Sequence, residues 1–205
     1  MDAQARAAEV RALQSPQMHF RRFAALLLGV WLAGCVFMDM VATQNFRSVD
    51  RLLAAPPPQI AERIQAMGGH DLARVFLRYQ ASELNRLYFD NWERAQIVLG
   101  MLLFLVLLFG SQPKRLMLLL ELLILGLVLV MHFYLTPEIT RLGRTIDFVA
   151  PGTPSPERAR FWTFHGAYSA CELVKFGLGT VLAVLLVRRR RRSELAVGQA
   201  GSVCL

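Results

Sequence analysis

Cysteine, histidine and tyrosine are scarce in this chain, and the common catalytic motifs are missing from it. The 205 residues include three cysteines, four histidines and four tyrosines. Cys35 and Cys171 fall inside apolar runs and Cys204 stands near the C-terminal end, so the sequence predicts no disulfide framework. The chain also lacks a Walker A loop, a Rossmann glycine pattern, a zinc-binding CxxC, a GxSxG and an HExxH. We therefore expect a protein that is not an enzyme and has no catalytic residue, and the sequence identifies no cofactor.

Acidic residues are fewer than basic ones, and the position of the excess basic charge is informative. The chain has 15 Asp and Glu against 23 Lys and Arg, which gives a formal net charge of +8. The arginines at 188–192 follow the last apolar run directly, and Lys114 and Arg115 connect two other runs. Basic residues at the ends of apolar segments are typical of cytoplasmic topology anchors that contact lipid headgroups. We therefore expect the lipid bilayer as a partner, no nucleic acid, and both termini in the cytoplasm.

Long apolar runs dominate the rest of the chain, of which 55% is hydrophobic. A hydrocarbon core of about 30 Å needs about 20 helical residues, and a helical pattern before the second run extends that shorter segment. The sequence therefore predicts an all-α integral membrane four-helix bundle, most consistent with the bacterial inner membrane. Its predicted parts are a cytoplasmic segment 1–22, a transmembrane domain 23–187 with spans 23–42, 95–110, 115–135 and 161–187 and external loops 43–94 and 136–160, and a basic cytoplasmic tail 188–205.

The first external loop has its own helical pattern. No proline or glycine interrupts residues 71–99, which predicts one helix of about 40 residues and about 60 Å that continues into the second span. The first helix is expected to continue beyond the membrane until the prolines at 56–58. A short helix over 60–67 is expected between the first helix and the long helix that leads into the second span. Helices one and two would thus extend outside the bilayer as an antiparallel pair. The third span is expected to end near Pro137.

Ionisable residues inside the apolar runs are the most specific feature of the sequence. Charge is costly within a bilayer, yet Asp39, His132, His165 and Glu172 all lie in or at the ends of predicted spans. With both termini in the cytoplasm, alternate spans bring these residues toward the outer face, where Glu93 enters the second span. The topology therefore predicts a buried polar site near the outer face.

The fourth run contains the sharpest local pattern. His165, Tyr168 and Glu172 are spaced i, i+3 and i+7, which places them on one helical face, and Lys175 follows Glu172 at i+3 and can neutralise it. The predicted ligand-binding or polar-network residues are Asp39, Glu93, His132, His165, Tyr168, Glu172 and Lys175.

Several chemistries fit such a site at this point. A structural network that holds helices together is one, and a ligand, ion or proton site is another. Imidazole and carboxylate groups predict a transition-metal site formed by His132, His165 and Glu172. The two histidines on successive helices also fit bis-imidazole haem ligation.

Further residues carry expectations of their own. Glu121 lies about two turns from the basic pair Lys114 and Arg115, so we expect it to pair with that basic edge. The three tryptophans are expected to face lipid or the membrane interface, the last two at the outer boundary, and they are Trp31, Trp92 and Trp162.

The amino-acid sequence of the fourth apolar run resembles that of a known family. The stretch RFWTFHGAYSACELVKFGLG is similar to the final helix of the transmembrane protein 205-like family, with an aromatic entry, a His-Gly pair and a small-residue run. The first span and Pro137-Glu138 are similar to that family's opening helix and its acid-and-proline exit. Tyr168 and Glu172 depart from the expected serine and amide. The matching residues are Phe161, Phe164, His165, Gly166, Ser169 and Cys171.

The resemblance implies a four-helix membrane protein of the kind found in bacteria with unknown function. Animal members of the family have been linked to platinum-drug resistance, which implies export or trafficking without a defined substrate.

Two functions follow as expectations. The first is a small integral membrane protein that binds or passes a small ligand or metal ion, as a homo-oligomer or with a membrane-complex partner. The alternative is a non-catalytic scaffold or accessory subunit of a larger membrane complex. That subunit would dock through the external helix pair, with Arg74, Arg78 and Glu83 as contact residues.

Overall fold

The chain is helical throughout the residues that the structure describes. The computed structural model describes the backbone at 3–110, 115–149 and 152–202, and the side chains at 19–110, 115–149 and 152–187. Within these ranges it contains no strand, which confirms the all-α fold class. The elements in chain order are α1 (Ala3–Ala54), α2 (Pro58–Ala66), α3 (His70–Gly110), α4 (Arg115–Val130), a π-helical segment (Met131–Leu135), α5 (Thr136–Ile146) and α6 (Pro156–Ser202).

Four of the helical stretches are long enough and apolar enough to cross a membrane. The most apolar windows of these stretches have mean hydropathies of 2.1, 1.8, 2.6 and 2.0 in chain order. Large apolar side chains such as Phe109, Leu119 and Leu173 are 79%, 62% and 76% exposed. A surface of this kind fits contact with lipid. The candidate spans are His19–Ala54, His70–Gly110, Arg115–Ile146 and Pro156–Val187.

The lengths of α1 and α3 agree with the sequence pattern. Helix α3 has 41 residues, as the uninterrupted stretch predicts, and α1 ends at Ala54, two residues before the first proline of the run. Between them, α2 is followed by Gly68 and Gly69 with φ of 109° and 91°. Glycine has access to this left-handed region without steric cost, so the pair forms the turn into α3.

The third helical stretch continues beyond Pro137 into the predicted external loop, and the end of the membrane span near Pro137 stays a prediction. The predicted loop 136–160 contains α5 and the beginning of α6. In the π-helical segment the hydrogen bond spans five residues, since the Thr136 N–H donates to the Met131 carbonyl. The wider turn places Pro137 in the first turn of α5, where its missing N–H is not required.

The residues cluster into two compact units. Unit 1 comprises Met1–Ala33, Gln96–Leu127 and Leu173–Leu205, and unit 2 comprises Gly34–Ala95 and Val128–Glu172. The buried apolar residues of unit 1 come from all four long helical stretches and include Leu28, Leu103, Leu107, Ile124 and Leu182. Unit 2 has two cores, one formed by Val49, Leu53, Ile64, Ala73 and Ala81, and one by Met131, Leu135 and Tyr168.

Candidate functional site

Glu93 of α3 is the central residue of a polar site inside unit 2. Its side chain is fully buried. The Thr136 hydroxyl donates to Glu93 Oε1 at 2.5 Å, and Nδ1 of His132 lies 3.1 Å from Glu93 Oε2. Hydrogen bonds to a carboxylate are charge-assisted, and a buried carboxylate needs them because it has lost its water. The two contacts therefore give each carboxyl oxygen of Glu93 a partner.

The π-helical segment positions both partners of Glu93. His132 is its second residue, and Thr136 follows its last residue directly. An extra residue in a helical turn changes the direction of the side chains around it, and such turns occur often at functional sites. We name the group of Glu93, His132, Thr136 and Tyr168 the Glu93 site.

Tyr168 of α6 completes the Glu93 site. Its side chain is buried against Phe89, with ring centroids 5.7 Å apart in an edge arrangement. Tyr168 interacts electrostatically with Glu93, Glu172 and Asp39. Of these three predicted carboxyl groups, Glu93 is buried, Glu172 is half-buried and Asp39 is exposed.

Asp90 connects the Glu93 site to the surface of unit 2. It lies one turn before Glu93 on α3, and its side chain is 34% exposed. One oxygen of Asp90 is 3.8 Å from His132 Nδ1, while the other pairs with the Arg94 guanidinium at 2.7 Å. Nδ1 of His132 therefore faces a buried carboxyl at 3.1 Å and a partly exposed carboxyl at 3.8 Å.

His165 is not brought into this group. It is exposed, and its ring stacks on Phe161 with centroids 5.7 Å apart and contacts Trp162 edge-on. Among the described residues, no set of three or more His, Cys, Asp or Glu side chains is arranged to hold a metal ion. The predicted set of His132, His165 and Glu172 thus does not form a ligand group, and haem binding stays a prediction.

Lys175 lies in unit 1 within a second polar cluster. Its ammonium group donates to Gln96 Oε1 at 2.5 Å, and the Trp31 indole N–H donates to the same oxygen at 3.1 Å. All three side chains are buried, with exposures of 2% or less. The expectation that Trp31 faces lipid or the interface is wrong, because its N–H finds an acceptor in the interior.

Ion pairs join other parts of unit 2. Asp50 accepts hydrogen bonds from Arg74 and Arg78, both at 3.2 Å, so α1 and α3 are linked beyond their apolar contacts.

A second ion-pair group of unit 2 involves the segment after α5. Glu83 pairs with Arg86 and Arg144, and Arg86 also donates to both oxygens of Asp147. Burial raises the pKa of the Asp147 carboxyl, and the hydrogen bond from Arg86 acts in the opposite direction.

The sequence-based reasoning missed Thr136 and the acceptor role of Gln96. Thr136 stands four residues after His132, so both lie on one helical face, and this spacing was a usable signal. Gln96 follows Glu93 by three residues on α3. No sequence pattern indicates that Trp31 and Lys175, 144 residues apart in the numbering, share its oxygen.

Comparisons with known proteins do not assign the chain to a family. No family model, no curated protein and no solved structure matches it. The resemblance to the transmembrane protein 205-like family therefore stays an expectation.

Proposed function

We propose that the chain is a multi-pass integral membrane protein that binds a proton at the Glu93 site and passes it through the protein. The observation that carries the proposal is the fully buried Glu93 carboxyl in hydrogen-bond contact with His132. The proton is the small ligand for which these groups are suited, because carboxyl and imidazole groups gain and lose protons under physiological conditions. No catalytic residue is part of the proposal.

The contact between His132 and Glu93 supports proton exchange between the two groups. At 3.1 Å a proton between Nδ1 and Oε2 is within hydrogen-bond reach of both atoms. An isolated charge is disfavoured in a buried site, so gain of a proton by one partner favours its loss by the other. Asp90, 3.8 Å from His132 Nδ1 and partly exposed, is the proposed entry group.

Other ionisable groups near the Glu93 site shape its charge. Arg94 pairs with Asp90 and reduces the negative charge at the entry. Glu172 and Asp39 interact with Tyr168 and add negative charge on that side. A surplus of carboxyl groups favours the binding of a cation, of which the proton is the smallest.

We also propose the membrane arrangement that the charges indicate. The four candidate spans form a bundle in the bacterial inner membrane, with long helices one and two extending outside the bilayer. Segment 1–22 and tail 188–205 lie in the cytoplasm, because the arginines at 188–192 and Arg21 and Arg22 flank apolar stretches. A four-helix chain leaves limited room for a complete path, so the protein acts as a homo-oligomer or with a membrane-complex partner.

In the scaffold alternative, the external pair formed by helices one and two would dock a partner through its charged residues. Arg74, Arg78 and Glu83 were its expected docking residues, yet each pairs with another residue of unit 2. These contacts support a role inside the chain, so we favour the proton site over the scaffold.

Nitrogen-15 NMR of histidine-labelled protein in lipid vesicles tests proton binding directly. A pH series from about 5 to 8 follows each imidazole, and His132→Asn identifies the signal of His132. We expect Glu93→Gln to change the chemical shifts of the His132 ring nitrogens in this series, because it replaces the carboxyl that Nδ1 faces at 3.1 Å. Glu62→Gln makes the same chemical change at an exposed position of α2 and is the matched control.

The outcome of the NMR series separates the two proposals. His132 chemical shifts that change in Glu93→Gln and stay unchanged in Glu62→Gln support the Glu93 site. His132 chemical shifts that are the same in Glu93→Gln and in the unmodified protein contradict it and favour the scaffold.

A further inference from the structure

Glu121 of α4 is a fully buried carboxyl that the Glu93 site does not use. It lies in unit 1, and it is the only acidic residue among the side chains of that unit that the structure describes. Neither of its oxygens has a hydrogen-bond partner among the described residues. The predicted pairing with Arg115 is therefore absent, and the side chain of Lys114 lies outside the described residues.

The surroundings of Glu121 on its own helix are apolar. Met117 precedes it by one turn and Leu125 follows it by one turn, and both are buried on the same face of α4. A Cβ atom added to Gly100 would lie 3.0 Å from Leu125 and 2.9 Å from Trp31, so the backbone of α3 packs tightly near this face. The carboxyl group thus lies on the packed apolar face of α4.

The cations of unit 1 that the structure describes do not neutralise Glu121 by hydrogen bonding. Arg21 donates to the Leu186 carbonyl, and Lys175 donates to Gln96 Oε1. The remaining ionisable side chains in the described part of the unit are exposed and are His19, Arg22 and Arg115.

A carboxylate ion in this position is strongly disfavoured. Transfer of an isolated ionised carboxyl from water to an apolar interior costs far more than transfer of the neutral acid. Ionisable groups within membrane spans are therefore paired, solvated or neutral. With no partner among the described residues, the neutral acid is the form that this environment favours.

We propose that Glu121 is a second proton-binding site, whose carboxyl group holds one proton in the folded protein at neutral pH. This inference stands apart from the proposed function, because Glu121 and the Glu93 site belong to different units and share no residue. The bound ligand is the proton alone. Its loss requires that water or a cation reaches the carboxyl group.

Infrared spectroscopy of the full-length protein in lipid vesicles tests the proposal. A protonated carboxyl group gives a carbonyl stretch that is distinct from the carboxylate bands and moves when H2O is replaced by D2O. We expect such a band at neutral pH, and we expect Glu121→Gln to remove the component assigned to this residue. Glutamine matches the neutral acid in size, so this variant should fold.

Two further variants make the infrared result specific. Glu62→Gln changes an exposed carboxyl and should leave the protonated band intact. Glu93→Gln should leave the Glu121 component intact, which separates failure of this proposal from failure of the Glu93 site. A spectrum in which Glu121→Gln removes no protonated-carboxyl signal overturns the proposal.

Chemical labelling of the unmodified chain gives a test without any variant. An apolar carbodiimide reacts with a protonated carboxyl by addition of the O–H across one C=N bond, and no group leaves. We expect mass mapping at neutral pH to place the adduct on the peptide that contains Glu121, with less adduct as the pH rises. An adduct on the Glu121 peptide whose amount does not fall as the pH rises overturns the proposal.

Discussion

Glu93 and Glu121 carry the same side chain, and their different contacts favour different protonation states of the carboxyl group. Both are fully buried, and they belong to units 2 and 1, respectively. Glu93 has a hydroxyl donor on one oxygen and an imidazole on the other, so it can exist as the anion. Glu121 has no hydrogen-bond partner among the described residues, so the neutral acid is favoured. At the residue scale, the donors around a carboxyl decide its role.

The hydroxyl of Thr136 should contribute measurably to stability. Thr136→Val keeps the shape of the side chain and removes the donor to the buried Glu93 carboxyl. We expect the free energy of unfolding to fall by about 1–3 kcal/mol, measured by denaturant titration in detergent micelles. Thr163→Val removes an exposed hydroxyl that bonds to the Ala159 carbonyl, and its effect should stay within about 0.5 kcal/mol. Equal effects of the two changes would contradict the account.

The side-chain oxygen of Gln96 should contribute to the stability of the folded protein. Gln96→Leu removes the acceptor shared by Trp31 and Lys175, and hydrogen bonds to charged groups contribute about 1.5–3 kcal/mol. We expect a loss of that size in the free energy of unfolding.

Rescue and control variants isolate the acceptor of Gln96. Gln96→Glu keeps an oxygen in place and should retain more stability than Gln96→Leu. Gln59→Leu at an exposed site of α2 is the control and should have little effect. If Gln96→Leu were as stable as the unmodified protein, the contact with Lys175 would have no energetic role.

At the scale of helices, the π-helical segment has two structural effects on the third helical stretch. It lets the helix continue past Pro137, and it directs His132 toward Glu93 while Thr136 reaches the other oxygen. Residues four apart share a face in a regular α-helix as well, and the π-turn changes the exact directions of the two side chains because it contains an extra residue. The same element therefore carries both the continuity of the third stretch and the geometry of the Glu93 site.

Close packing of α1 and α3 in unit 2 should depend on Gly34. A Cβ atom at this position would lie 2.1 Å from the Trp92 ring, which leaves no space for a methyl group. Gly34→Ala should therefore lower the free energy of unfolding by about 1–3 kcal/mol in thermal or denaturant unfolding.

Gly29 on the same helix provides the matched control. A Cβ atom there meets nothing within 4 Å, so Gly29→Ala should be neutral or raise stability by up to about 1 kcal/mol through helix propensity. A Gly34→Ala variant as stable as Gly29→Ala would show that the Trp92 ring does not occupy that space.

At the scale of the whole molecule, the helical segments could be predicted and the contacts between them could not. The length of α3 follows from an uninterrupted pattern without proline or glycine, and the end of α1 follows from the proline run. These are local properties, so local sequence determines them. The continuation past Pro137 depends on a π-turn, for which the sequence gives no simple rule.

The candidate site could be predicted only in part, because contacts between helices are not local properties of the sequence. An ionisable group in an apolar run identified His132, the entry of the second span identified Glu93, and helical spacing identified Tyr168 as members of a polar site, and the structure brings them together. The position of His165 depends on the rotation of its helix, and that rotation exposes it beside Phe161. The rotation of a helix about its axis depends on tertiary packing, so residue spacing alone does not predict it.

Proton flux across a vesicle membrane tests the central claim most directly. The purified protein is placed in lipid vesicles with a trapped pH-sensitive dye, and a pH difference is imposed. We expect flux above that of empty vesicles, with at least a tenfold loss in Glu93→Gln and no loss in Glu62→Gln at equal protein content. Flux that is equal in the unmodified protein and in Glu93→Gln, or no higher than in empty vesicles, would contradict the account.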